Sequence, residues 1–214
     1  MYKKKIIFLV IIVLILTGCS KVDHNIDNVV NTVMAREIKS VNTVSTGYKL
    51  YIPVGVLQLV DNEYNQKFKI RDTRVYLYVD TVSYYYKNSL NYKLDGDYNY
   101  YYKEINFKDR TGYVGVNKLD DDSFFVEIVY NYSKIEFYAD NEDLPIVMAN
   151  SLIMINSIKY NDNLIKIELD NAANDGRDVK YELDKPKDSE STFSQTLKEY
   201  VEPEKTEVVL PDGE

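Results

Sequence analysis

What most constrains the fold of this 214-residue chain is a succession of short β-type segments between Tyr48 and Ala139, separated by turn residues. The segments fall at 48–52, 56–60, 73–86, 98–107, 113–119, 124–130 and 134–139. In the longest, 73–86, Val75, Leu77 and Val79 point to one side and Tyr76, Tyr78 and Val82 to the other, the period of two that a pleated strand imposes. The links are tight: Asp95-Gly96-Asp97, Asp109-Arg110-Thr111-Gly112, Asp120-Asp121-Asp122-Ser123 and Asn131-Tyr132. A parallel pair needs a crossover of a dozen or more residues, and these links cannot supply one. An antiparallel meander follows, and a doubly wound parallel sheet is excluded.

Helical spacing appears on either side of the meander. Ile26, Val29, Val30, Val33, Met34, Ile38 and Val41 make one apolar stripe, with Asp23 or Asn25 to cap it, which predicts an amphipathic helix of about four turns. A second helix is predicted from about Asn141 to residue 155, with Pro145 in its first turn. Its apolar residues lie on every side, so it should be buried. A last strand is expected at 164–169, after Asn161-Asp162-Asn163. Residues 171–214 are polar, with nine acidic residues against four lysines from Asp184 onward, and read as a tail too poor in apolar surface to fold alone. One short amphipathic helix at 192–201, carrying Phe193, Leu197 and Tyr200, could dock. The domain organisation expected is thus 1–18 a leader, 19–25 a tether, 26–170 a single α+β domain, and 171–214 a tail.

The start strand Gly47-Tyr48-Lys49-Leu50-Tyr51-Ile52-Pro53, the meander, and a buried helix running into Ser157-Ile158 together resemble the Mog1/PsbP-like family over residues 47–160. That resemblance implies an α/β/α sandwich. It also implies a setting in which several members are non-catalytic, membrane-tethered accessory proteins.

The N-terminus carries a second resemblance. Lys3, Lys4 and Lys5 precede an apolar run from Ile6 to Leu16, too short to span a bilayer comfortably and laid out like a secretory signal. It ends in Leu16-Thr17-Gly18-Cys19, which resembles the lipobox of bacterial lipoproteins. The resemblance implies a lipidated Cys19, removal of residues 1–18, and anchoring at the extracytoplasmic side of the cell membrane by palmitate-type chains. Two such chains hold a protein stably where one gives only marginal binding. Loss of the leader removes three lysines and no acid, so the formal net charge goes from −8 to −11. So acidic a chain is a poor ligand for nucleic acid and for anionic lipid headgroups. The expectation is that repulsion holds it off the membrane surface, with the lipid on Cys19 as its only contact. With its one cysteine acylated, the mature chain has no thiol left for a disulfide.

Little in the sequence points to catalysis. The one histidine, His24, falls in the tether, which argues against Ser–His or Cys–His nucleophiles and against His/Cys zinc sites. Asp80, Glu127 and Glu136 are strand carboxylates, read as positions on a solvated sheet face and, in the alternative, as an acid–base pair of an envelope hydrolase. Residues 171–182 have Gly176 and Glu182 at the sixth and twelfth places of a calcium loop, but Ala173 and Val179 occupy ligand positions, so an Asp-Gly turn accounts for them better. No catalytic residue, metal site or cofactor is assigned. Tyr84, Tyr85, Tyr86, Tyr100, Tyr101 and Tyr102 flank one expected hairpin and form the candidate binding surface, since tyrosine is large, rigid and amphipathic. The expected function is a non-catalytic binding or accessory role with an envelope protein or glycan partner.

Overall fold

A computed structural model describes residues 25–62, 64–88 and 98–174. Cys19, His24, the turn at 95–97, residues 175–182 of the calcium-like string and the tail helix at 192–201 lie outside the described residues.

The expected α+β architecture forms, with every strand pairing antiparallel. A short helix α1 (Ile26–Met34) leads into β1 (Thr43–Ser45) and β2 (Tyr48–Leu50). Three strands follow as a meander: β3 (Val56–Asn62), β4 (Asn65–Ile70) and β5 (Thr73–Val79). Helix α2 (Thr81–Tyr86) precedes a second meander of β6 (Tyr101–Phe107), β7 (Arg110–Lys118), β8 (Phe124–Tyr130) and β9 (Ser133–Ala139). Helix α3 (Leu144–Asn156), strand β10 (Lys159–Tyr160) and helix α4 (Asp162–Asn174) complete the described chain. The two meanders join where β9 pairs with β5, giving one seven-stranded sheet in the order β3-β4-β5-β9-β8-β7-β6. Strands β1, β2 and β10 form a separate three-stranded sheet.

Register sorts the side chains. Val75, Phe137, Val126 and Val116 stand opposite one another and so share a face, as do Leu77, Ile135, Ile128 and Val114. These residues are 0–1% exposed and pack with Val147, Met148, Leu152 and Ile155 of α3 and with Val30 of α1. Helix α3 is buried nearly all round, as its sequence predicts. At about 1.5–3 kcal/mol for each large apolar side chain, this layer is the main source of stability.

Four elements differ from the sequence expectation. Helix α1 has nine residues instead of four turns. Its last carbonyls are taken by a distant side chain, Asn156, whose Nδ2 donates to the oxygens of Val33 and Arg36 at 3.1 and 2.9 Å. The 73–86 segment is a strand only to Val79; Asp80 then caps α2 by accepting from the Ser83 amide at 2.8 Å. The expected strand at 164–169 is instead part of α4, started by Asn161, whose Oδ1 accepts from the Leu164 amide at 3.2 Å. Strand β4 carries Gln66, Phe68 and Ile70 inward, and its lysines conceal that alternation in the sequence. The β6–β7 turn also falls earlier than expected, at Lys108-Asp109, because Arg110–Gly112 are already paired.

The two ends of the large sheet are distinct. At one lie the Arg71-Asp72 and Asp120–Ser123 turns and the start of β3; at the other lie the Lys108-Asp109 and Asn131-Tyr132 turns and α2. Helix α1 runs between them along β6. Near its start Asp27 accepts from Tyr101 and Lys103 at 3.0 and 2.7 Å; beyond its end Glu37 meets Lys108 and Arg110 at 3.5 and 3.8 Å.

Candidate functional site

The six candidate tyrosines do not form one surface. Tyr84, Tyr85 and Tyr86 are on α2, at the end of the sheet that holds the Asn131-Tyr132 turn; Tyr100, Tyr101 and Tyr102 are at the start of β6, toward the other end. The expectation fails because Asp80 turns the chain out of β5 before the tyrosines are reached. Tyr101 is spent on α1, its hydroxyl donating to Asp27, and that carboxylate together with burial pushes the phenol up. Tyr100 packs on Phe124 with centroids 4.9 Å apart. Tyr86 is 61% exposed and meets the Tyr85 ring edge-on at 5.3 Å.

Tyr84 belongs to a groove of about 410 Å³, lined also by Val44, Tyr48, Lys49, Tyr160 and residues 161–164. Its ring stacks on Tyr160 at 3.7 Å and meets Tyr132 edge-on at 5.7 Å, while the Lys87 ammonium stands 3.6 Å above it. Burial, with Asp162 beside it, pushes the Tyr84 phenol up. The Tyr160 hydroxyl donates to the Asn131 carbonyl at 2.7 Å and lies 2.9 Å from the Ser133 hydroxyl. The tyrosine wall is thereby fixed on a hairpin turn, a strand and two helices. The rim is polar and exposed at Lys49, Asn161, Asp162 and Asn163. Close packing behind the groove requires Gly47: a Cβ there would come within 2.7 Å of Ile165, and the residue has φ 79°.

The second cluster lies on the sheet face turned away from α1 and α3. Glu127 of β8 and Glu136 of β9 stand directly opposite each other across the Asn131-Tyr132 hairpin. They are not the solvated pair expected: Glu136 is 7% exposed. One Glu127 oxygen, Oε1, accepts from both the Tyr98 and the Tyr113 hydroxyls at 2.6 Å. The Lys134 ammonium is 2.7 Å from Glu136 and 3.8 Å from Glu127. Tyr98 reaches Glu127 by lying over Gly115, where a Cβ would come within 2.1 Å of its ring.

This environment drives the two carboxyls apart. Burial raises Glu127, but the Tyr113 and Tyr98 phenols, aided by Glu136 and Lys134, outweigh it and hold the carboxyl below its ordinary value. Burial pushes Glu136 up, and its hydrogen bond with Glu127 adds to that against the pull of Lys134. Two carboxyls so coupled ionise in separate steps, Glu127 before Glu136. Glycoside hydrolysis needs two carboxyls about 5–9.5 Å apart, flanking the scissile bond. These two are in hydrogen-bond contact, beside a recess of only about 10 Å³, room for roughly one water. The geometry is that of an internal polar network. Asp80, the third candidate carboxylate, is a helix cap.

Among the described residues no group of three or more His, Cys, Asp or Glu side chains is disposed to hold a metal ion, and no helix is long and apolar enough to cross a membrane. The chain matches no protein-family profile and none of the curated proteins.

Lys134, Tyr98, Tyr113, Tyr160, Tyr132 and Lys87 were not among the sequence candidates. One pairing was legible: a two-residue turn at Asn131-Tyr132 fixes the register that puts Glu127 opposite Glu136. The tyrosine contacts had no such signal.

Proposed function

We propose that this chain is an extracytoplasmic bacterial lipoprotein, held to the cell membrane through acyl chains on Cys19, with a non-catalytic binding or accessory role at the envelope. The anchor rests on Leu16-Thr17-Gly18-Cys19 behind a basic and then apolar leader. The observation that carries the binding role is the tyrosine-walled groove, whose volume falls in the range of ligand sites. Its wall is rigid, its rim offers donors and acceptors, and it lies toward the end of the sheet opposite the start of α1. The partner class that suits such a surface is an envelope protein or glycan. The carboxylate pair gives the hydrolase alternative less support, because its oxygens are already occupied by Tyr98, Tyr113 and Lys134.

Both halves are open to test. Cys19→Ser should abolish incorporation of a palmitate analogue and release the protein from membranes; a variant that still labels and pellets would refute the anchor. For the groove, a photo-crosslinking residue at Leu164, 42% exposed on the rim, should trap an envelope component in living cells. The same residue at Ile167, 52% exposed on the same helix but outside the groove, should not. Equal adducts at both positions, or none at Leu164, would remove the groove from the function.

A further inference from the structure

Among the described residues, four exposed aliphatic side chains gather at one corner. Val54 is 97% exposed, and Leu57, Leu59 and Val60 of the edge strand β3 are 60%, 48% and 42% exposed. An edge strand with such side chains is a liability in water; β3 holds no lysine or proline, and the register shift between Gln58 and Val60 is what interrupts its edge. The nearby charges on β4 and the β4–β5 turn are matched in pairs, Lys69 with Asp72 at 3.2 Å and Arg71 with Asp143 at 2.8 Å. In a chain of strongly negative net charge, this corner is apolar and locally near neutral.

Its position is informative. Val56 pairs with Ile70, and Ile70 with Thr73, so the Val54-Gly55 turn lies at the end of the sheet toward which the start of α1 points. Five residues lie between Cys19 and the Asn25 cap, six Cα–Cα steps with a reach of at most about 22 Å. Strand β3 and the α1-bearing strand β6 are the two edges of the sheet, about 29 Å apart at six strand spacings. The start of α1 and the Val54 corner therefore lie at the same end of the sheet. The acidic Asp120-Asp121-Asp122 turn lies at the same end but joins β7 to β8, on the β6 side. A tilt that lowers the β3 corner lifts this turn away from the headgroups.

We infer that Val54, Leu57 and the β3 edge insert into the interfacial layer of the bilayer that carries the Cys19 lipid, fixing the domain with its groove turned outward. This rests on the lipidation reading above. The bilayer is favoured over a second copy because the corner lies at the same end of the sheet as the start of α1, where the chain from Cys19 joins the domain. Exposed aliphatic side chains beside paired cations also suit an interface of headgroups and acyl chains.

The chain has no tryptophan, so Val54→Trp gives a single indole at a site where nothing packs. The full-length lipidated protein, reconstituted in phosphatidylcholine vesicles with brominated acyl chains, should show blue-shifted emission at position 54 and a large loss of intensity to the bromines. Val44→Trp, at a 73% exposed site on the groove, should show neither. Equal quenching at both positions, or vesicle-bound protein unquenched at 54, would overturn the inference while the anchor stands. A blue shift without bromine quenching would mean that protein, such as a second copy, covers the corner, and would overturn it equally. Adding Cys19→Ser should leave the protein in the supernatant; pelleting as before would overturn the lipidation reading and this inference together.

Discussion

Glu136 and Glu127 show how one neighbour decides the behaviour of a carboxyl. Both are glutamates on adjacent strands, yet two phenols aimed at Glu127 hold its carboxyl below the ordinary value while burial pushes Glu136 above it. The stability consequences have opposite signs. As pH rises above the ordinary carboxyl value, the unfolded chain ionises at position 136 before the fold does, so stability falls until the raised value is passed. As pH drops below the ordinary value, the fold resists protonation at Glu127 and stability is lost through the depressed value. The charged and titratable groups around the pair are Lys134 on β9, Lys67 on β4, Tyr76 and Tyr78 on β5, Tyr113 on β7 and Tyr98. Glu136→Gln should therefore flatten the decline above the ordinary carboxyl range without loss at neutral pH, as followed by urea midpoints across pH. Glu127→Gln should cost about 1–3 kcal/mol at neutral pH, because two phenols lose a charged acceptor. An unchanged pH profile in Glu136→Gln would refute the upward shift at Glu136. The pairing of these residues could be read from the turn at Asn131-Tyr132, but the phenols that differentiate them could not.

At the scale of elements, the boundaries were set by single polar contacts. Asp80 and Asn161 start helices where the flanking sequence alternates like a strand, because a filled cap lets the following residues bury one face instead of two. Ile165 is the residue of α4 that is buried, while Leu164 and Ile167 stay exposed, which is why its alternation was misleading. Helix α1 stops at Met34 because Asn156, more than a hundred residues away, satisfies its carbonyls. Asn156→Ala should cost about 1–3 kcal/mol through those unpaired acceptors. It should also speed hydrogen exchange in α1 ahead of the sheet; uniform protection across both would show that the cap does not hold the helix.

For the molecule as a whole, the two ends of the sheet have different surroundings, with the groove toward one and the exposed aliphatic corner and α1 start at the other. The segment from Asp184 onward, with its excess acid and three prolines, is expected to contribute little to this framework. Truncation after Asp184 should leave the thermal midpoint within a few degrees. If Phe193, Leu197 and Tyr200 pack on the domain, the loss would be about 1.5–3 kcal/mol each, or roughly 2–4 °C per kcal/mol. A fall of ten degrees would therefore refute the expectation.

By itself the sequence determined the antiparallel α+β class, since turns as short as Asn131-Tyr132 permit nothing else, and the burial of α3, since its apolar residues leave no polar side. It also carries Leu16-Thr17-Gly18-Cys19, on whose resemblance to a lipobox the proposed anchor rests. Tertiary structure alone decided which meander strands meet at β5 and β9, where the tyrosines gather, and which glutamate is pushed above its ordinary carboxyl value. Those outcomes depend on contacts between residues far apart in the chain, such as Tyr84 on Tyr160 or Tyr98 on Glu127, and local periodicity contains no information about them.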